Sequence, residues 1–354
     1  MIKLVSSTED NLCMKLVVID GIPGCGKTML SSIISSLSNV ELLKYSYEIE
    51  NYCHLHDFKL LDLNTAKQLI KNQLNLLIYN GMMGREMNFR YSDISSVFHS
   101  RNKIRNILRI FTKGDEVIPK KIISSKPILH LATHGLCGIS IPMFESMPKG
   151  MLFINMVRHP LFLLRQNIWN MTNLINNPRS FWLYYLYENK SLPFFFYGKE
   201  SLFKRASPKE KAIYFIEWFI DKQKENENVK SNESYYELSF ESMIKDPYQH
   251  IEEICRRLDI HQTSQTDYVL RKENIPRKIL TDGRSRGIYK RVGWVKSDAK
   301  SLESEFEEMK KWAFLDICEH AAQTLTRLCT DYEKKYGIYQ KLSNSKSSDY
   351  SWPS

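Results

Sequence analysis

A chain of 354 residues with 43% apolar and 25% charged content has the balance of a globular protein that buries a sizeable core, as one large α/β domain or two smaller ones. The net charge of +10 suits anionic ligands, but no basic run dominates and no zinc-finger or RNA-recognition signature occurs, which argues against nucleic acid as a partner. No stretch reaches the roughly 18 apolar residues of a membrane span, and residues 1–9 lack an apolar segment of signal length. Seven scattered cysteines without a C-x-x-C pair argue for reduced thiols in a cytoplasmic setting rather than for a disulfide framework.

In chain order, residues 1–13 read as a polar lead-in and residues 14–20 as an apolar first strand, followed by a helix from Lys27 to about Leu37. Residues 41–47 are a candidate second strand. Residues 65–77 have helical spacing, with Leu69, Ile70, Leu74 and Leu77 on one face. Residues 81–100 are irregular and 101–111 form a short basic helix. Residues 126–135 read as a strand that breaks at Gly135. After a short helix around 141–147, Met151–Val157 is an apolar strand of the fully buried type, ending in Arg158-His159-Pro160, where Pro160 suits the first turn of a helix. Ser207-Pro208-Lys209-Glu210 is a helix-start signature for a helix reaching about Lys224. The aromatic-rich stretch 181–203 offers walls for an acceptor cleft or simple core packing, and residues 192–197 read as a buried or ligand-facing loop. Residues 235–240 predict another strand, 248–258 a helix, 274–300 a loop region, and 301–336 a largely helical stretch. The polar tail 341–354 is expected to be disordered. Strands alternating with helices, without repeats or a long linker, predict a single domain over 1–340 with a parallel sheet flanked by helices.

Gly21 through Thr28 (Gly-Ile-Pro-Gly-Cys-Gly-Lys-Thr) completes the phosphate-loop pattern G-x-x-x-x-G-K-[ST] between a strand and a helix. The glycines admit backbone conformations closed to other residues, and the helix N-terminus offers amides and a positive dipole end to an anion. Lys27 adds a mobile cation and Thr28 a hydroxyl. Ligands of parallel α/β sheets bind beyond the C-terminal strand ends, and two further residues sit there. Arg158 carries a guanidinium suited to forked phosphate recognition. His134 can take a proton near neutral pH. His130 shares a face with it by strand alternation, but no third ligand in recognisable spacing supports a metal site. Late in the chain, Arg284-Ser285-Arg286-Gly287 places two guanidiniums in a flexible loop.

Taken together these motifs resemble the sulfotransferases that use 3′-phosphoadenosine 5′-phosphosulfate, over residues 17–291 and in that family's order. The resemblance implies a phosphate-loop α/β fold of the nucleoside-triphosphate-hydrolase type. It implies a 5′-phosphosulfate cradle at Pro23, Gly24, Cys25, Gly26, Lys27 and Thr28, and a base at His134 in Ala132-Thr133-His134. A 3′-phosphate site at Arg158, Gln166, Arg284, Ser285, Arg286 and Gly287 follows in the same way, and Phe240 through Pro247 matches the family's strand–helix junction before the late loop. Four positions depart from the pattern: Gly24 stands where the loop lysine is usual, Lys27 where a threonine is, Ala132 where a lysine precedes the histidine, and Gln166, still a hydrogen-bond donor, where a serine follows the arginine by eight residues. Lys27 then remains the loop's only cation for the sulfuryl group. The implied reaction is transfer of a sulfuryl group to a hydroxyl or amine of a small-molecule or glycan acceptor, with Lys27 and His134 as the catalytic pair and no metal. The alternative is a kinase or nucleotide hydrolase using ATP and magnesium, because Lys27-Thr28 is the triphosphate signature. The strand that should end in an aspartate for magnesium ends in Arg158 instead. A nucleotide-binding protein without turnover is the third reading.

Overall fold

The computed structural model describes residues 11–337, apart from residues 113, 176, 227–232, 288, 289 and 291–296. The tail expected at 341–354 lies outside the described residues.

Five parallel strands form the central sheet: β1 (Lys15–Asp20), β2 (Val40–Tyr45), β3 (Ile128–Ala132), β4 (Met151–Val157) and β5 (Tyr235–Ser239), in the spatial order β2-β3-β1-β4-β5. Strand β1 runs between β3 and β4, with Val18 level with Leu131 on one side and Phe153 on the other. Because both faces of a parallel sheet are covered by crossover helices, its strands are apolar throughout. Alternation then sends neighbouring side chains to opposite cores. Leu16 and Val18 enter the core beneath α2 (Tyr47–Asp57) and α3 (Leu63–Met83). Val17 and Ile19 enter the larger one, with α1 (Lys27–Ile34), α4 (Pro160–Asn173) and α5 (Pro208–Glu225). The α/β class read from the sequence, a parallel sheet flanked by helices, is the class observed.

The differences from the sequence reading have local causes. The second strand stops at Tyr45 because the Ser46 side chain caps α2, accepting from the Ile49 amide at 3.5 Å. The helical stretch at the C-terminal end is two helices, Leu302–Phe314 and Glu319–Tyr336, and the chain turns between them at Asp316, whose φ is +56°. The basic helix at 101–111 is a shorter α-helix, Lys103–Leu108, that tightens into a 3-10 turn at Arg109–Phe111. In the aromatic stretch, Tyr184–Tyr187 and Lys190–Pro193 form an antiparallel hairpin, and Phe194, Phe195 and Phe196 beyond it are core.

One buried carboxylate fixes how the strand ends meet. Asp20, the last residue of β1, is fully buried. It accepts hydrogen bonds from the Thr133 hydroxyl at 2.7 Å and from the Leu136 and Cys137 amides at 2.8 and 2.7 Å. The turn after β3 is therefore locked to the strand that launches the phosphate loop. Asp20→Ala strands three buried donors at roughly 1–3 kcal/mol each, so urea unfolding should show a loss of about 3 kcal/mol or more. A loss under about 1 kcal/mol would mean the turn is held by other contacts.

Candidate functional site

The carboxyl ends of β1, β3 and β4 open into one cleft with a cavity volume of about 350 Å³. Pro23, Gly24, Gly26, Lys27 and Thr28 form its floor. Two glycines are indispensable to this turn. Gly21 has φ +141°, and a Cβ there would collide with the Met156 carbonyl; Gly26 has φ +103°, and a Cβ would strike the Phe240 ring. Gly26 also sits at the N-cap of α1, so the first amides of that helix face the cleft end without intrahelical acceptors. The Lys27 ammonium folds back onto the Gly21 carbonyl. Cys25 differs from the other loop residues: it is buried behind Gly21 and does not line the cleft. Burial pushes its thiol pKa up, with Lys27 pulling the other way.

Arg158 leaves β4 and donates to the Gly24 carbonyl at 2.9 Å, with its guanidinium 4.1 Å above the Phe240 ring. Its buried Nε has no partner among the described residues, so a donor remains for a ligand. Helix α4, opened by Pro160 as expected, braces the same loop: Asn167 donates to the Pro23 carbonyl at 2.9 Å. The preceding residue, Gln166, lines the cleft and donates to Asn170 one turn on. The middle residue of Arg158-His159-Pro160 is structural. His159 is wholly buried, and its pKa is pushed down to about 3 by burial and then by Arg158.

His134 lies just beyond β3 and faces a group that the sequence reading did not single out. Its Nδ1 is 3.0 Å from the Glu50 carboxylate on α2. A carboxylate only accepts, so Nδ1–H donates, and in the neutral ring Nε2 then carries the lone pair. Tyr45 and Tyr47 stack on the imidazole at centroid distances of 6.0 and 5.7 Å, and Phe181 leans on Tyr47 at 5.1 Å. Tyr45, Tyr47, Phe181 and Trp182 line the cleft beside Arg179 and Ser180. His130 is not part of this cluster. It is buried under α1, bonded to Ser35 at 3.3 Å, and its pKa is driven down to about 3 by burial.

The late loop closes the cleft from the other side, but only partly as expected. Arg284 lines the cleft. Arg286 lies beneath, donating to Ser32 at 3.0 Å, and the Ser32 hydroxyl in turn donates to the Thr28 carbonyl at 3.0 Å. Both arginines pair with the buried Glu273 carboxylate. Ser285 and Gly287 are exposed and outside the cleft lining. A second carboxylate, Glu305, holds the loop's base through the Leu280 and Thr281 amides, each at 2.8 Å.

The phosphate-loop residues and Lys27 share one cleft with Arg158, Gln166 and Arg284, a concentration of donors and cations suited to an anionic ligand. Ser31 adds an unforeseen donor: it lines the cleft at 1% exposure, with no partner for its hydroxyl among the described residues. Neither Glu50 nor Ser31 carries a motif. An acid in the first turn of a helix reads as a dipole complement, and a serine inside a helix as filler.

No family model matches the chain, and no curated protein matches it. Solved structures do show likeness. The sulfotransferase domain of the olefin synthase of Synechococcus PCC 7002 is 11% identical with a TM-score of 0.40, covering 93% of this chain and 98% of that one. The sulfotransferase domain from the curacin biosynthetic pathway is 12% identical with a TM-score of 0.43, covering 90% and 97%. Mouse sulfotransferase SULT7A1, complexed with PAP, is 11% identical with a TM-score of 0.34, covering 90% and 89%. Likenesses of this size leave the chemistry to be read from the chain's own residues.

The placement of the loop residues makes a paired prediction. Gly26→Ala should abolish binding of adenosine 3′,5′-bisphosphate in isothermal titration, since the turn cannot form with a Cβ against Phe240. Cys25→Ala, altering a side chain turned away from the cleft, should bind within about threefold of the parent. Equal losses in both would show that the thiol side of the loop also contacts the ligand.

Proposed function

We propose that the chain is a sulfotransferase, moving a sulfuryl group from 3′-phosphoadenosine 5′-phosphosulfate to a hydroxyl or amine of an acceptor, a glycan among the candidates. The observation that carries this reading is that the Glu50–His134 pair and Arg158 line the same cleft as the phosphate loop. Motif order in the sequence supports it as well.

In this reading His134 Nε2 takes the acceptor's proton while the acceptor oxygen forms its bond to sulfur. The bond from sulfur to the 5′-phosphate oxygen breaks, and adenosine 3′,5′-bisphosphate leaves. The imidazolium formed is stabilised by Glu50, which also fixes the tautomer. Lys27 and the first amides of α1 stabilise the charge that collects on the leaving phosphate. To do so, Lys27 moves its ammonium from the Gly21 carbonyl to the ligand. Arg158, Gln166 and Arg284 hold the 3′-phosphate, which ATP lacks. The exposed aromatic rings around His134 give the acceptor its platform. No metal enters this scheme, and the seven free cysteines suit a reducing, cytoplasmic location.

The ATP-dependent reading keeps one specific support, the adjacent Lys27 and Thr28 on the cleft floor. Arg158 at the end of β4 speaks against it, since a guanidinium stands where the magnesium shell needs a carboxylate. Binding without turnover remains the reading to which a failed transfer assay would lead.

Transfer from labelled donor to a panel of glycans, phenols and hydroxylated lipids tests the proposal. In that assay His134→Ala should lower turnover by about 10²–10⁴-fold while leaving bisphosphate affinity intact. Glu50→Gln should give a smaller loss, confined to kcat. Turnover unchanged in His134→Ala would remove the histidine from the mechanism.

A further inference from the structure

The segment 101–113 contains five basic residues (Arg101, Lys103, Arg105, Arg109, Lys113) and no acidic one. Its helix, Lys103–Leu108, and the 3-10 turn after it are amphipathic in the reverse of the usual sense. Surface helices of globular proteins turn apolar residues inward. Here the inward groups are polar. Arg109 is buried and makes a forked pair with Glu41 of β2 at 2.6 and 2.9 Å, and Asn106 is buried and donates to Ser100 at 2.8 Å. The outward groups are Ile104, Leu108 and Phe111, at 68%, 54% and 78% exposure. They stand at positions i, i+4 and i+7, which places them in one stripe. Lys103 and Arg105 are exposed beside it, and Arg105 also pairs with Glu41 at 3.7 Å. Phe98, exposed on the 3-10 turn Val97–His99 that packs against this helix, extends the apolar surface, and Tyr91 lies against it at 6.1 Å.

A buried bidentate ion pair thus pins this segment to the sheet edge with its apolar side facing out. Contiguous exposed apolar surface of this kind marks an interaction site. The charge identifies the partner. A second copy of the chain would bring the same cations against these, so self-association through this face is opposed. An anionic lipid surface supplies both complements, acyl chains for the stripe and phosphates for the rim. We infer that Ile104, Leu108 and Phe111, flanked by Arg101, Lys103 and Arg105, dock the protein on the surface of an anionic membrane. Among the described residues no helix is long and apolar enough to cross a membrane, so the attachment is peripheral. It holds whatever reaction the cleft performs.

Co-sedimentation of the full chain with phosphatidylcholine vesicles, with and without phosphatidylserine, tests this. The expected result is binding at least about tenfold stronger to the phosphatidylserine vesicles, weakening as salt rises. The triple variant I104E/L108E/F111E should lose it, and R101E/K103E should lose most of it, with thermal unfolding midpoints by circular dichroism close to the parent's. Absence of binding to phosphatidylserine vesicles overturns the inference, as does binding that the triple variant retains. So does a parent dimer in analytical ultracentrifugation that the triple variant converts to monomer, since a second copy would then cover the stripe.

Discussion

The Asp20 carboxylate is the constraint on which the site depends. Placed at the end of the central strand and fully buried, it is satisfied by the Thr133 hydroxyl and the Leu136 and Cys137 amides. Those three bonds dictate where the chain turns after β3, and hence where His134 stands relative to the phosphate loop that begins one residue after Asp20. The proposed chemistry needs two groups from distant parts of the chain to converge on one reacting atom. A buried carboxyl group with three donors sets that convergence more sharply than apolar packing does, because any rearrangement leaves a donor or an acceptor unpaired.

Four of the cationic groups in and around the cleft have internal acceptors. Lys27 rests on the Gly21 carbonyl, Arg158 on the Gly24 carbonyl, and Arg284 and Arg286 on Glu273. An entering anion therefore exchanges hydrogen bonds rather than filling a bare positive hole. The exchange favours a ligand with a negative group at each of these positions at once, since a ligand that reaches only one displaces internal bonds without replacing the rest. The path from Arg286 through Ser32 to the Thr28 carbonyl physically joins the late loop to the helix that carries the cradle.

What could be read from the sequence follows the same division. The strands, the phosphate loop and Arg158 were legible because fully buried parallel strands are written as short apolar runs, and the residue after such a run is at the sheet's functional edge. Met151–Val157 was legible to the residue. Glu50 was not, since its meaning comes from the crossing of α2 over the end of β3, a tertiary fact with no periodic trace. The pairing of Arg284 and Arg286 with Glu273 escaped for a similar reason: a carboxylate 11 and 13 positions earlier on another element has no spacing rule. The aromatic stretch was ambiguous from composition and divided in the structure, with Phe194, Phe195 and Phe196 in the core and Phe181 at the mouth of the cleft. Helix Lys103–Leu108 was recognisable as basic, but only the structure shows that its polar side is the buried one.

The central claim is that the arginines beyond the phosphate loop choose a nucleotide with a 3′-phosphate over a triphosphate. Titration calorimetry of the parent and of Arg158→Ala, with adenosine 3′,5′-bisphosphate and with ATP, in the presence and absence of magnesium, measures this directly. The account predicts that the bisphosphate binds more tightly, without magnesium. Arg158→Ala should weaken it by on the order of 10- to 100-fold, as expected for loss of a charge-assisted hydrogen bond. Magnesium-dependent ATP binding, with no preference for the bisphosphate and no effect of Arg158→Ala, would contradict it.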